Sequence, residues 1–318
     1  MRRHSSWPSL KWGWRGEQAM TTVATALRLA QAQGLDRLDA QLLLLHVLGQ
    51  EAHDRAWLLA HDSDALPVAA EGRLTPLVAR RAAGEPLAYI TGRREFFGLD
   101  LEVNPSVLIP RPDTEILVEW ALEHLPTTTD QTLRVLDLGT GSGAIALALK
   151  AQKPGAQVQA LDWSEAALAV ARRNAARLSL DITFAQGNWL DGNHQRYHLI
   201  VANPPYVADA DPHLSALAHE PLQALTAGPD GLQDLRAIIA SAPGHLHPGG
   251  SLLLEHGHKQ AVAVRELLAV AGFCKIASRR DLAGIERCSG GQQSLEPHPH
   301  AHASLRTIGS PAAHRPPR

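Results

Sequence analysis

The sequence predicts a doubly wound α/β protein, in which a parallel sheet carries helices on both faces and is preceded by a helical bundle and a β-hairpin. Three observations predict this architecture. Apolar residues recur at helical spacing up to about Ile90, they then alternate from Phe96 to Val107, and after Thr132 short strands and helices follow one another in turn. The 318 residues allow about two domains.

The first domain is predicted over 20–92 as a bundle of helices. Thr21 or Thr22 can cap its first helix, which runs toward Gln33. The second helix has an apolar stripe at i, i+4 and i+7, formed by Leu38, Leu42 and Leu45. Two more helices are predicted at 55–61 and 68–83. No chemical motif occurs here, so the bundle is either a packing domain or a surface for a protein or RNA partner.

The segment 93–114 is predicted to be a linking β-hairpin, because its apolar residues alternate around Gly98. Pro110 and Pro112 then exclude a regular helix. Asp113 or Thr114 can cap the helix that follows.

The second domain is predicted over 115–290, with parallel strands joined by right-handed crossovers. The chain ends lie outside both domains. Residues 1–19 are predicted to be a disordered leader, with Met20 as a possible true start and a docking tail as the alternative. Residues 291–318 are rich in His and Pro and are predicted to be disordered.

Composition excludes several classes of protein. The 30 basic and 32 acidic residues give a net charge of −2, which disfavours a protein that coats nucleic acid. The two cysteines, Cys274 and Cys288, form no disulfide framework and no CxxC metal pair, and a reducing cytoplasmic compartment fits them. No apolar run approaches the length of a membrane span, and no apolar segment follows the basic leader as in a secretory signal. We expect no metal, since the C-terminal histidines lack cysteine or acidic partners at ligand spacing.

A glycine-rich turn marks a candidate cofactor site. The predicted strand Val135–Leu138 runs into Gly139-Thr140-Gly141-Ser142-Gly143 and then into a helix, whose free N–H groups can bind a ligand. Asp162 ends the next predicted strand, where a carboxylate suits a ribose diol. A nicotinamide site usually has a third glycine where this chain has Ala144. The Asp137-x-Gly-x-Gly-x-Gly form instead resembles the first motif of class I S-adenosylmethionine-dependent methyltransferases, and a glycine turn without a ligand is the remaining alternative.

The fourth predicted strand, Tyr197–Ala202, leads directly into Asn203-Pro204-Pro205-Tyr206. Ligands of doubly wound sheets bind beyond the carboxyl ends of the strands, so this tetrapeptide should face the cofactor. The Asn203 side-chain oxygen and the Pro204 carbonyl can both accept hydrogen bonds from one NH₂ group. Pro205 would stiffen the loop, and Tyr206 would offer a flat face to a planar amide or base. The chemistry is orientation and electrostatics, because no strong base is evident.

Taken together, these motifs resemble the peptide chain release factor N5-glutamine methyltransferases of the HemK/PrmC type, over about residues 20–290. The resemblance also includes Gly84–Gly92, Arg94–Gly98, Leu108–Glu115 and Glu220-Pro221. It implies a class I methyltransferase fold, that is, a Rossmann-like seven-stranded sheet with an N-terminal bundle. It further implies S-adenosyl-L-methionine as cofactor and the glutamine of a Gly-Gly-Gln sequence in release factors as substrate.

By the same resemblance, Gly139 to Gly143, Asp162, Trp189 and Asn203 line the cofactor site, and Asn203 to Tyr206 hold the substrate glutamine. The bundle would help to dock the release factor. Asn188 departs from the family, in which an acid often stands at this position. The chain also contains its own Gly290-Gly291-Gln292, for which chance is a better explanation than self-recognition.

Four other functions remain open. The first is an amino methyltransferase acting on adenine in DNA or RNA, since Asn-Pro-Pro-Tyr also occurs in enzymes that methylate flipped bases. We expect no direct nucleic-acid binding, because the basic residues occur only as short pairs. A ribosomal-protein glutamine methyltransferase is disfavoured by Arg111-Pro112-Asp113-Thr114-Glu115. A non-catalytic scaffold is disfavoured by the intact Asn203–Tyr206. A nicotinamide oxidoreductase is disfavoured by the glycine spacing.

Overall fold

The computed structural model describes residues 20–125 and 132–295. The predicted leader at 1–19 and most of the predicted tail lie outside these residues. The chain divides into two compact units, the first ending at Thr91 and the second beginning at Gly92. This division lies one residue before the predicted end of the bundle.

The first unit is a helical bundle. Over residues 20–91 its helices are α1 (Val23–Ala32), α2 (Arg37–Leu48), α3 (Arg55–Ala60), α4 (Val68–Ala82) and α5 (Leu87–Thr91). Thr22 caps α1 as predicted, since its hydroxyl accepts the Thr25 N–H. The predicted stripe on α2 is confirmed at Leu45, which is fully buried, but is wrong at Leu38, which is 47% exposed. The buried face contains Ala40, Leu43, Leu44 and Val47. Four consecutive leucines fit more than one helical stripe, and packing selects this i, i+3, i+4, i+7 face.

The second unit begins with an antiparallel hairpin of β1 (Arg93–Phe96) and β2 (Leu99–Glu102). A short 3-10 turn and α6 (Glu115–Glu123) follow. The remaining elements are β3 (Arg134–Leu138), α7 (Ala144–Gln152), β4 (Gln157–Asp162), α8 (Glu165–Leu178), β5 (Thr183–Gln186), β6 (Tyr197–Ala202), α9 (Gln233–Ser241), β7 (Leu246–Glu255), α10 (Ala261–Val270), β8 (Cys274–Arg280) and β9 (Glu286–Gln292).

The sheet has seven strands in the order β5-β4-β3-β6-β7-β9-β8. Buried apolar side chains cover both of its faces. The predicted parallel sheet is confirmed for the five strands β5, β4, β3, β6 and β7, whereas β9 is antiparallel to β7 and to β8. The five-residue connection between β8 and β9 is too short for a parallel crossover but suits a hairpin. The strand order reverses at β3, between β4 and β6, and this places the ligand crevice at their carboxyl ends.

The Gly290-Gly291-Gln292 sequence is part of the sheet. Gly290 and Gly291 are buried in β9 opposite Leu253 and Leu252 of β7, so this sequence is structural and cannot reach the chain's own cavity. The predicted boundary at 290 is therefore two residues short of the end of the strand. Within residues 20–125 and 132–295, no helix has the length and apolarity that crossing a bilayer requires, and no cluster of three or more potential metal ligands occurs.

Candidate functional site

A cavity of about 280 Å³ opens at the carboxyl ends of β3, β4 and β6. All residues that line it lie between Ser106 and Asp234. They include most of the residues predicted from the sequence, namely Gly139, Thr140, Gly141, Ser142, Asp162, Trp189, Asn203 and Pro205. Gly143, Pro204 and Tyr206 were also predicted, but they are not among the lining residues.

The glycine turn is attached to the neighbouring strand by its backbone. The N–H groups of Gly139 and Thr140 both donate to the Leu161 carbonyl at 2.9 Å. Gly143 begins α7 with a left-handed φ of 85°, and a Cβ there would lie 3.0 Å from Leu147 Cδ1 and 3.2 Å from Ala171 Cβ. Gly143 therefore permits close packing of α7 on α8, and its predicted place in the cofactor site stays a prediction.

Asp162 is held by the backbone at the end of β4. Its Oδ2 accepts the Gly141 N–H at 2.8 Å, and its Oδ1 accepts the Ser164 N–H at 2.9 Å. Burial raises the pKa of this carboxyl, and the backbone N–H bonds oppose the shift. Each oxygen keeps a lone pair for a further donor, so the group can accept both hydroxyls of a diol in the cavity.

A second carboxyl group, that of Asp137, lies beneath the glycine turn. It is fully buried and accepts the Thr140 hydroxyl at 2.6 Å and the Ala146 N–H at 3.2 Å. Burial raises the pKa of Asp137 to about 7 despite these bonds. Its role in this structure is to connect β3, the turn and the start of α7.

Trp189 forms another wall of the cavity. Its Nε1–H donates to Asp234 Oδ1 at 3.1 Å, and a Cβ on Gly139 would lie 3.2 Å from the indole ring. The neighbouring Asn188 also lines the cavity and donates through Nδ2 to Asp191 Oδ2 at 3.3 Å. The indole ring is therefore fixed against the glycine turn, where it can contact a flat ligand group.

Asn203 follows β6 directly, and only one of the two polar atoms of its carboxamide makes a hydrogen bond. Its Nδ2 donates to Thr114 Oγ1 at 3.1 Å. Its Oδ1 is buried and has no hydrogen-bond partner among the described residues. Of the two predicted caps, Asp113 and Thr114, Thr114 occupies the N-cap position of α6, but its side chain makes no cap hydrogen bond and contacts Asn203 instead. The cavity thus contains a buried acceptor that can accept a ligand N–H.

Tyr206, the last residue of the tetrapeptide, is held by residues of other loops and strands. Gln260 Nε2 donates to the Tyr206 carbonyl at 3.0 Å, and the Tyr206 hydroxyl donates to Glu255 Oε1 at 3.2 Å. Gly231 has a φ of 69°, and a Cβ there would lie 2.3 Å from the Tyr206 carbonyl oxygen. Only glycine therefore fits at position 231, where the chain passes directly against the Tyr206 carbonyl.

Sequence reasoning gave no site role to Glu255, and it named Arg111 and Glu220 only as members of the motifs that carry the resemblance. Glu255 ends β7 and contacts Tyr206, while Glu220 accepts the Ile109 N–H at 3.1 Å and forms an ion pair with Arg111. An acid at the carboxyl end of a buried strand was the available signal for Glu255. The Arg111–Glu220 pair joins residues 109 positions apart, and no local pattern indicates it.

The described chain matches two families. The family described as Methyltransferase small domain matches residues 114–280, and the PrmC N-terminal domain matches residues 21–92. A protein of Burkholderia pseudomallei named release factor glutamine methyltransferase is 50% identical over 280 residues, which are 85% of this chain and 96% of that relative. A protein of the same name from Bordetella pertussis is 53% identical, over 81% of this chain and 95% of its own.

Among solved structures, the hMettl16 catalytic domain in complex with the MAT2A 3′UTR hairpin 6 has a similar fold. Its TM-score is 0.51 at 20% sequence identity, over 70% of this chain and 83% of that one. At this identity the similarity concerns the fold alone.

Proposed function

The chain belongs to the release factor glutamine methyltransferase family, and on that premise we propose that it methylates the side-chain nitrogen (N5) of the glutamine in a Gly-Gly-Gln sequence of a peptide chain release factor. The methyl donor is S-adenosyl-L-methionine. The observation that carries the proposal is the free, buried Oδ1 of Asn203 at the edge of the cavity. A buried acceptor without a partner is costly, and a substrate NH₂ group would satisfy it.

The residues around the cavity fit this cofactor. Asp162 can accept the two ribose hydroxyls, and Trp189 offers its ring to the adenine. When bound, S-adenosylmethionine supplies an electrophilic methyl group, whose bond to sulfur breaks as the bond to the amide nitrogen forms and one amide proton leaves to solvent. The glycine turn, with Thr140 and Ser142, would hold the rest of the cofactor.

The chain's own contribution to the reaction is orientation. Asn203 Oδ1 would accept one hydrogen of the substrate amide, and the Pro204 carbonyl, which follows it in the chain but is not part of the cavity wall, would accept the other. These two bonds would hold the nitrogen in line and favour pyramidal geometry. Pro205 limits the freedom of the loop. The Tyr206 hydroxyl donates to Glu255 Oε1, which orients the ring, and its predicted flat contact with the substrate amide stays part of the proposal.

We also infer that the substrate is a protein and that the enzyme acts in the cytoplasm without direct nucleic-acid binding. Several arginines of the basic pairs form ion pairs with acidic residues of the same chain, as in Arg80–Glu85, Arg172–Glu165, Arg173–Glu102 and Arg279–Glu123.

The cavity lies wholly in the second unit, which leaves residues 20–92 for docking of the release factor. Hydrogen exchange of the full chain should then show protection in 20–92 when release factor is added. Protection confined to the second unit would contradict this docking role.

The direct test is a comparison of substrates. The protein is incubated with labelled S-adenosylmethionine and, separately, with release factor, release factor with the target glutamine changed to alanine, ribosomal protein and DNA. We expect label on the intact release factor alone, at the glutamine nitrogen by mass spectrometry. Label on DNA or on ribosomal protein, with none on the release factor, would overturn the proposal.

A further inference from the structure

The two prolines of the tetrapeptide depend on its ends for their position. Pro204 and Pro205 have no backbone N–H, and no described residue donates a hydrogen bond to either carbonyl. The first residue, Asn203, follows β6, which is held in the sheet between β3 and β7. The direction of the Pro204 carbonyl therefore depends on how the chain is held at the other end, at Tyr206.

The side-chain amide of Gln260 lies where three backbone segments meet. Its Nε2 donates to the carbonyl oxygens of Tyr206 at 3.0 Å, Gly231 at 3.2 Å and Asp230 at 3.3 Å. Its Oε1 accepts the Gly257 N–H at 2.8 Å. A backbone N–H can only donate and a carbonyl can only accept. These neighbours therefore allow one orientation of the amide, with the NH₂ group toward the Tyr206 carbonyl.

Two glycines leave the space that this amide occupies. A Cβ on Gly231 would lie 2.9 Å from Gln260 Nε2, and a Cβ on Gly257 would lie 3.0 Å from Gln260 Oε1. Gln260 stands at the N-cap position of α10 and is not part of the cavity wall. It can therefore act on the reaction only through the segments that it joins.

We propose that Gln260 is a positioning residue for the methyl transfer, because its bond to the Tyr206 carbonyl fixes the far end of the tetrapeptide and with it the direction of the Pro204 carbonyl. This inference rests on the proposed function, in which that carbonyl accepts one hydrogen of the substrate amide. The fixed φ of each proline makes the Pro204–Pro205 segment stiff, so a shift at Tyr206 displaces the acceptor as well. A displacement of about 1 Å in a group that orients a substrate can cost about 100-fold in rate.

The test replaces the donor by an atom whose hydrogen depends on pH. Gln260→Glu keeps the shape of the side chain, but its ionised carboxylate has no hydrogen and repels the carbonyl oxygens, whereas the protonated acid donates one hydrogen bond again. The surrounding carbonyls raise the pKa of this introduced acid. We expect kcat with release factor to fall at least about 30-fold at pH 8, and to recover at least about fivefold relative to the wild type at pH 5.5.

Gln260→Met removes the donor at every pH. We expect it to lower kcat at least about tenfold, with a ratio to the wild type that is the same at pH 8 and pH 5.5. The segments that meet at Gln260 also carry the titratable side chains of Tyr206, Asp230, Glu255, His256, His258 and Lys259. The wild type carries all of them, so a kcat expressed as a ratio to the wild type is corrected for their titration.

Two controls separate this role from a general loss of structure. Both Gln260 variants should bind S-adenosylhomocysteine within about threefold of the wild type in calorimetry, since the hydrogen bonds of Asp162 remain. Gln292→Glu makes the same chemical change in β9, where Nε2 donates to the Gly249 carbonyl at 2.7 Å away from the cavity wall. Its kcat should stay within about threefold of the wild type at both pH values.

The outcomes distinguish this inference from the proposed function. If the wild type does not methylate release factor, the proposed function fails and the inference fails with it. If the wild type is active, a folded Gln260→Glu protein with a kcat within about threefold of the wild type at pH 8, or with a ratio that does not change with pH, overturns the inference alone. An equal loss in Gln292→Glu also overturns it. If Gln260→Glu does not fold, Gln260→Met decides, and a kcat within about threefold of the wild type overturns the inference.

Discussion

Replacing Asn203 with alanine tests the acceptor at the edge of the cavity. Oδ1 is buried and makes no hydrogen bond to the described residues, so it is available to accept a hydrogen bond from the substrate. Loss of one preorganised polar contact of this kind costs about 100- to 1,000-fold in kcat, or about 2.7–4 kcal/mol of transition-state stabilisation. Cofactor affinity should fall much less, by about threefold at most, because Asp162 and the glycine turn keep their hydrogen bonds.

The assay is single-turnover methylation of release factor, with cofactor affinity measured separately by calorimetry. Asn193→Ala is a matched control, since Asn193 is also a half-buried asparagine with side-chain hydrogen bonds but does not line the cavity. We expect its kcat to stay within about twofold of the wild type. A kcat for Asn203→Ala within about threefold of the wild type would refute the role assigned to this side chain.

Three further predictions concern the cofactor site and the fold. Asp162→Ala should weaken S-adenosylmethionine binding about 10- to 100-fold in calorimetry, the scale of hydrogen bonds to a charged group, and unchanged affinity would contradict the assignment. Asn174→Ala removes three hydrogen bonds, two to Glu102 and one to Ser142, which join the hairpin to the glycine turn. It should lower the free energy of unfolding in urea by about 2–4 kcal/mol, and a loss below about 0.5 kcal/mol would argue against this. The pKa of Asp137 is raised from 3.8 to about 7 in the folded state, so its protonation stabilises the fold fully below pH 3.8, and this stabilisation is lost as pH rises through about 7. Asp137→Asn should therefore reduce the decrease in the free energy of unfolding between these two pH values. A pH dependence equal to that of the wild type would contradict this prediction.

Much of the fold could be predicted from local pattern. Ser164 caps α8 as its position before Glu165 indicates, and β6 spans the predicted 197–202. The antiparallel β9 could not be predicted in the same way. The sequence of this seven-residue strand does not indicate whether it pairs in parallel or antiparallel, and its place between β7 and β8 depends on long-range pairing.

In the candidate site, too, some residues could be predicted from local pattern and others could not. Gly141, Asp162 and Asn203 lie at strand ends that the alternation of strands and helices locates, and the structure brings them to one cavity. Thr114 and Glu255 were not predicted to belong to it. Each reaches Asn203 or its loop from a distant part of the chain, and tertiary contacts of this kind leave no periodic signal.

The central claim is that the amide nitrogen of the substrate is held by Asn203 and Pro204 against the methyl donor. A crystal structure of the protein with S-adenosylhomocysteine and a Gly-Gly-Gln peptide tests it most directly. We predict that the glutamine NH₂ group donates to Asn203 Oδ1 and to the Pro204 carbonyl, with its nitrogen directed at the sulfur. A glutamine bound elsewhere, or an Asn203 that turns its NH₂ group toward the peptide, would contradict the claim.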